Sequence, residues 1–222
     1  MISTDMPIKL IAFDMDGVIL KNRNSWEKAL AGIYGAGGNR NYAFQSISRH
    51  GKKFHVPPGL DLRSYIENSF DVKDITYDFH LMADFLSYTG IKSVIISAGV
   101  INYARKLSEI YRLDDYVANG VVDYRGELKF IRHVDPARKD LNLDLYLKKF
   151  GLKKSEAISI GDSLADYSMR KSSAFFIAFN PSDARLSALA DATSYNFSGV
   201  IRIVKAISNI TSRARFGAPI SD

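Results

Sequence analysis

The segment Phe13-Asp14-Met15-Asp16-Gly17-Val18 places two carboxylates two positions apart at the end of the apolar run Ile8 to Phe13. Such a run reads as a buried parallel strand, and Gly17 releases the chain into a turn. Open α/β sheets bind ligands at strand ends of this kind. Like charges this close repel, so the pair calls for a cation, a shared proton or both. Mg²⁺ suits the position, because hard divalent cations prefer carboxylate oxygens. Asp14 is then a candidate nucleophile: a carboxylate can attack phosphorus and split one hard displacement into two easier ones. Asp16 is a candidate acid/base, able to protonate a leaving oxygen and then deprotonate a hydrolytic water. The alternative for both is a turn-forming acid pair that caps the next helix.

Further residues could complete such a site. Ser97 and the backbone of Ala98 follow a second apolar run, Ile91 to Ser97, where a hydroxyl and free N–H groups at a helix start would hold phosphate. An ordinary serine N-cap is the plainer reading of Ser97. Lys139 lies near the start of a helical pattern, where the macrodipole disfavours a cation. Its position relative to the third strand selects it over its neighbours Lys129, Arg132 and Arg138. Asp162 and Asp166 follow the third run, Ala157 to Ile160. The i,i+4 spacing predicts that they share one helix face and supply the additional metal ligand that the first pair lacks.

The elements that must position these residues alternate. After the first strand, residues 18 to about 76 read as short helical pieces broken at Gly35-Ala36-Gly37-Gly38 and Val56-Pro57-Pro58-Gly59. An amphipathic helix over Phe79 to Tyr88 ends at Gly90, and another runs from about Val100 to Tyr111 after the second strand. Val117 to Val134 alternates and turns at Arg125-Gly126, which predicts a β-hairpin. A helix from Lys139 to Phe150 stops at Gly151. A helix after Asp162, a strand from Ala174 to Phe179, another helix and an amphipathic helix near Ser198 to Ile210 follow. The expected fold class is α/β, a doubly wound parallel sheet with a small α-helical insertion after the first strand. Residues 1–17 and 77–222 would form the core and 18–76 the insertion, with residues 211–222 a frayed tail.

Composition narrows the rest. The 222 residues suffice for one sizeable core, and the absence of cysteine excludes disulfides, thiolate zinc sites and cysteine nucleophiles. Met1 to Pro7 lacks the pattern of a secretory signal and no apolar run reaches the ~18 residues of a membrane span, so the expectation is a cytoplasmic protein without a membrane partner. The formal charge of +6 is concentrated between Lys21 and Leu60, where seven basic residues face one acid, Glu27. Either this is the solvated face of surface helices, or it is a field that draws in an anionic substrate or a nucleic-acid strand. The basic residues are not interleaved with aromatics as a stacking platform would be, which argues against nucleic acid. The sequence leaves the oligomeric state open.

Taken together, these segments resemble the haloacid dehalogenase superfamily of phosphohydrolases, and within it the phosphoserine phosphatase-like group. Asp14-Met15-Asp16-Gly17-Val18 looks like the first motif, Ser97 the second, Lys139 the third, and Gly161-Asp162 through Asp166 the fourth. Ala118-Asn119-Gly120-Val121 to Gly126, Asp166-Tyr167-Ser168-Met169 and Ile177-Ala178-Phe179-Asn180 are similar to segments of the same group. The resemblance implies Asp14 as nucleophile, Asp16 as acid/base, and Ser97, Ala98 and Lys139 as the phosphate site. It implies Mg²⁺ on Asp14, the Asp16 carbonyl and Asp162, with Asp166 supporting that shell, and it makes residues 18–76 a cap. Phosphoserine phosphatases carry an acid in the early cap that meets the substrate ammonium. Here the segment reads Lys21-Asn22-Arg23-Asn24, and Ala165 stands where those enzymes usually have asparagine. The expected substrate is therefore a different small anionic phosphate ester. Arg23 and Trp26, with Phe44 and Phe54, are candidates for its side of the pocket, although core packing is the commoner fate of such aromatics. Phosphoryl transfer to another acceptor, a phospho-accepting signalling domain and a nucleic-acid end phosphatase are the alternatives.

Overall fold

The computed structural model describes residues 7–33 and 55–208. Four apolar residues, Leu10–Phe13, form β1 and are all buried. A strand apolar on both faces must be covered on both, which places β1 at the centre of the sheet. It pairs in parallel with β2 (Lys92–Val100) and β5 (Ala157–Gly161), with Phe13 opposite Ile95 and Ile160. Among the described residues seven strands run β4-β3-β2-β1-β5-β6-β7, where β3 is Asp115–Tyr124, β4 Glu127–Ile131, β6 Phe175–Phe179 and β7 Ala192–Ser194. Only β4 is antiparallel, closing the expected hairpin through Arg125 and Gly126, both at positive φ. The chain winds outward through β2 and β3, then returns to the other side of β1 at β5. That reversal opens a crevice beyond the carboxyl ends of β1 and β5.

Helices cover both faces. On one, α3 (Phe79–Thr89), α4 (Ile101–Tyr111) and α7 (Phe197–Ser208) bury Phe79, Leu107 and Phe197 in a cluster with Phe13 and Phe179. The Phe79 and Phe197 rings lie 4.9 Å apart, and Phe179 stacks on Phe197 at 4.6 Å. On the other, α5 (Lys139–Phe150) seats Leu143 and Leu147 against Leu10, Ala12, Val94 and Ile96. The short α6 spans Ala184–Leu189.

The described ends of the insertion contain two short helices, α1 (Ser25–Ala29) and α2 (Leu62–Asn68). Its entry and exit lie side by side, because Thr76 donates through its N–H to Ile19 O (2.8 Å) and through its hydroxyl to Val18 O (2.7 Å). Leu30, Leu62 and Ile66 join the same apolar cluster as Phe13. The Gly35–Gly38 break, Arg40, Phe44, Arg49, Lys52, Lys53, Phe54 and the 211–222 segment lie outside the described residues.

Two expectations are corrected. Ser97 does not start a helix: β2 continues to Val100 with an irregular register against β3, and α4 begins at Ile101. The strand can go on because Gly99 has no Cβ, which would press on Asp16 Oδ2 and Ser25 Oγ at 2.7 and 2.6 Å. Asp166 opens a 3₁₀ helix, Asp166–Ser172, rather than lying one α-turn beyond Asp162. Its N–H donates to Ser163 O three residues back, so the chain turns more tightly than an α-helix.

Candidate active site

Asp14 is the first residue beyond β1, held by its N–H to Ile160 O at 2.9 Å. Lys139 is the first residue of α5, and its ammonium reaches back to Asp14 Oδ1 (2.6 Å) and Asp166 Oδ1 (2.5 Å). All three side chains are buried. A cation at a helix N-terminus needs compensation, and the two carboxylates supply it. Burial works against the Lys139 charge, but Asp14 and Asp166 outweigh it and push the ammonium pKa up. Burial likewise pushes Asp14 well above the ordinary carboxylate range, reinforced by Asp166 and opposed by Lys139.

Asp166 spends its other oxygen on Ser163, accepting from its N–H (3.0 Å) and hydroxyl (2.5 Å). A side chain on Gly161 would collide with Asp166, so β5 has to end in glycine. Asp162 comes next, and burial with the nearby Asp166 charge raises its pKa to about 7. One oxygen each of Asp14, Asp162 and Asp166 lie within 4.8 Å of one another. Three hard oxygens at this spacing suit a divalent cation. Both Asp166 oxygens already accept protein hydrogen bonds, which leaves Asp14 and Asp162 better placed to ligate and Asp166 to support.

Asp16 Oδ2 accepts from Ser25 twice, N–H at 3.0 Å and Oγ–H at 2.8 Å. Asp16 Oδ1 is buried without a hydrogen-bond partner among the described residues. Burial raises this carboxyl to about 6, with the two Ser25 bonds holding it from going higher. An acid of that pKa can both give and take a proton near neutrality. Ser25 Oγ also accepts from Val100 N–H (3.1 Å), so α1 is fastened to the acid and to the end of β2 together.

Ser97 Oγ is buried and accepts the Gly99 N–H at 3.0 Å. The Ala98 carbonyl accepts from Trp26 Nε1 (3.0 Å) and Asn119 Nδ2 (3.1 Å). Asn119 is buried and fully used: its Oδ1 takes the His133 and Val134 N–H groups, both at 2.8 Å, and its Nδ2 also donates to Val134 O. One amide therefore ties the end of β2 beside Ser97 to the segment leading into Lys139.

Nine of the sequence-derived site residues line one cleft of about 600 Å³: Asp14, Asp16, Arg23, Trp26, Ser97, Ala98, Lys139, Asp162 and Asp166; Phe44 and Phe54 lie outside the described residues. Lys129, Arg132 and Arg138, the other basic residues considered for the place of Lys139, do not line it. Glu27 does line it, an acid to which the sequence reading gave no role. Trp26 packs its ring edge-on to Phe130, with centroids 5.5 Å apart. Among the described basic residues, Lys28 pairs with Asp74 and Lys21 donates to Lys73 O, so part of the charge concentration is structural. The sequence reading gave no role to Ser25 or Ser163, and Asn119 entered it only as part of a segment similar to the phosphoserine phosphatase-like group. The available signal for Asn119 was an amide inside the otherwise apolar stretch Val117 to Val121.

No protein-family model matches the sequence, and curated proteins return no match. Solved structures do. A HAD family hydrolase from Salmonella enterica serovar Typhi aligns at a TM-score of 0.71 with 17% identity, over 87% of this chain and 70% of that one. A phosphoserine phosphatase in a phospho-aspartyl intermediate analogue form aligns at 0.70 with 18% identity, over 88% and 98%. A probable phosphoserine phosphatase from Vibrio cholerae aligns at 0.70 with 16% identity, over 91% and 67%. With its central β1, its acid-bearing strand ends and its insertion after the first strand, this chain has the fold of the HAD family hydrolases and phosphoserine phosphatases.

Proposed function

We propose that the chain is a Mg²⁺-dependent phosphomonoesterase of the haloacid dehalogenase type, acting on a small anionic organic phosphate through an aspartyl phosphate on Asp14. The observation that carries this reading is the buried Lys139 bridging Asp14 and Asp166 beside Asp162. That arrangement costs desolvation energy and stabilises the fold weakly at best, so a chemical role accounts for it better than a structural one.

Asp14 attacks phosphorus, and Asp16 hands its proton to the leaving oxygen. Asp16 then takes a proton from the water that opens the phosphoenzyme. Lys139 and Ser97, with the Ala98 backbone, hold the phosphoryl oxygens in a dry site where fixed charges act strongly. Asp14, Asp162 and the Asp16 carbonyl would hold Mg²⁺, with Asp166 supporting them; the ion would supply positive charge that offsets the negative charge of the phosphoryl group. Residues 18–76 act as the cap, and Arg23 and Trp26 meet the rest of the ester from that side.

Asp14→Asn keeps the size and polarity of the side chain while removing the nucleophile. We expect it to fold, by circular dichroism and melting temperature, and to release no phosphate from a panel of small esters with Mg²⁺. Near wild-type turnover in that variant would sink the assignment. A phosphoenzyme that persists for minutes instead of decaying would point to the signalling alternative.

A further inference from the structure

Arg23 has an environment that the reaction alone does not require. Its Nε lies 3.4 Å from Asp162 Oδ2, and its Nη2 donates to Asn180 O at 2.7 Å. The backbone makes room for both contacts. A Cβ on Gly17 would collide with Asp162 Oδ2 and lie 3.1 Å from Arg23 Cγ, and Asn180 sits at a φ of 40°. Lys139 is committed to Asp14 and Asp166, so among the described residues Arg23 is the cation paired with Asp162. The two pairings differ in kind. The Lys139 side chain is 3% exposed and that of Arg23 42%. The Arg23 contact is long, open to solvent and screened, hence exchangeable.

We propose that Arg23 is a stand-in counter-ion and a specificity residue. It holds Asp162 until a divalent cation takes that carboxylate. The guanidinium, still anchored at Asn180 O, is then left with donors for a second anionic group on the phosphate ester. Arginine suits the task because its planar fork can serve two oxygens at once. The inference rests on the metal-dependent phosphatase reading. It adds that cation and guanidinium compete for one oxygen, and that the substrate carries a carboxylate or a second phosphate near its ester.

The test pairs two readouts that must move in opposite directions. Mg²⁺ is titrated calorimetrically into the wild type, Arg23→Gln and Arg23→Lys, without substrate. Separately, kcat and KM are measured for phosphoglycolate and for ethyl phosphate, which lacks the carboxylate. Removing a competing cation should tighten Mg²⁺ binding in Arg23→Gln by about fivefold, the scale of one screened ion pair. The preference of the wild type for phosphoglycolate should collapse by about tenfold in the same variant, through KM with kcat little changed. Arg23→Lys, which keeps the charge and loses the fork, should lie between the two on both measures. Unchanged or weaker Mg²⁺ binding in Arg23→Gln, or an unaltered preference, overturns the inference while leaving a wild-type phosphatase standing. A wild type that neither binds Mg²⁺ nor hydrolyses either ester removes the phosphatase reading, and the inference with it.

Discussion

On the sheet side of the cleft, Asp14, Lys139 and Asp166 are between 1 and 4% exposed and fixed by bonds to strand ends and to one another. On the insertion side, Arg23 is partly open to water and Glu27 lies on the five-residue α1. Burial makes the sheet side stiff and its charges strong; exposure makes the insertion side soft and its contacts exchangeable. On the proposed function, the reaction belongs to the first wall and the choice of ester to the second. A substitution on the sheet side should therefore act on kcat, and one on the insertion side on KM.

The largest contrast should come from Asp16→Asn. Loss of a general acid lowers kcat by roughly 10²–10⁴-fold, more for ethyl phosphate than for p-nitrophenyl phosphate, whose leaving group departs without a proton. An equal loss on both esters would remove Asp16 from proton transfer. Ser25 sits where the walls join, so Ser25→Ala tests whether the division is clean. Its lost hydroxyl bond to Asp16 should reduce kcat by about tenfold with KM little moved; a change confined to KM would put Ser25 wholly on the insertion side.

The charge on the sheet wall also has a pH signature in the metal-free protein. Folded Asp162 and Asp16 hold protons up to about 7 and about 6, against an ordinary 3.8. Between those values the native state binds more protons than the unfolded one, so stability falls as pH rises. The melting temperature of chelator-treated protein should drop from pH 5 to pH 8, and Mg²⁺ at pH 8 should restore it. A metal-free protein more stable at pH 8 than at pH 5 would contradict the burial of these acids. The smallest effect is expected for Trp26→Phe, which keeps the ring against Phe130 and gives up one bond to Ala98 O. A change within about threefold, in KM, is the expectation; a collapse of kcat would make Trp26 part of the reactive wall.

The sheet side was the legible half of the molecule. Buried parallel strands are written as apolar runs, so Asp14 and Asp162 could be placed at strand ends from the sequence, whereas Ser97 lies within β2, which runs on to Val100. Lys139 needed the order of elements to choose it over Arg138. What the sequence concealed was pairing across distance. Ser25 is a hydroxyl in a basic segment until Asp16 and Val100 are seen on either side of it. Arg23 meets Asn180 from 157 positions away. The helix expected after Asp162 became a 3₁₀ turn because Asp166 bonds Ser163, a local contact that helical periodicity does not encode. The insertion was legible only as an insertion, since its short helices depend on packing against Phe13's cluster more than on their own propensity.

Asn119 gives the β3–β4 hairpin a mechanical part to play. The far arm of the insertion bears on the hairpin's tip, where Val56 N–H donates to Gly126 O. At the hairpin's root, Asn119 clamps the end of β2 at Ala98 and the approach to Lys139 with one side chain. The hairpin is thus a cantilever, loaded at the free end and fixed at the wall. On the proposed reading, a push from the insertion would load the strand between Gly120 and Tyr124 and be taken up at the clamp, so that the proposed cap could shift while Ser97 and Lys139 stay in register.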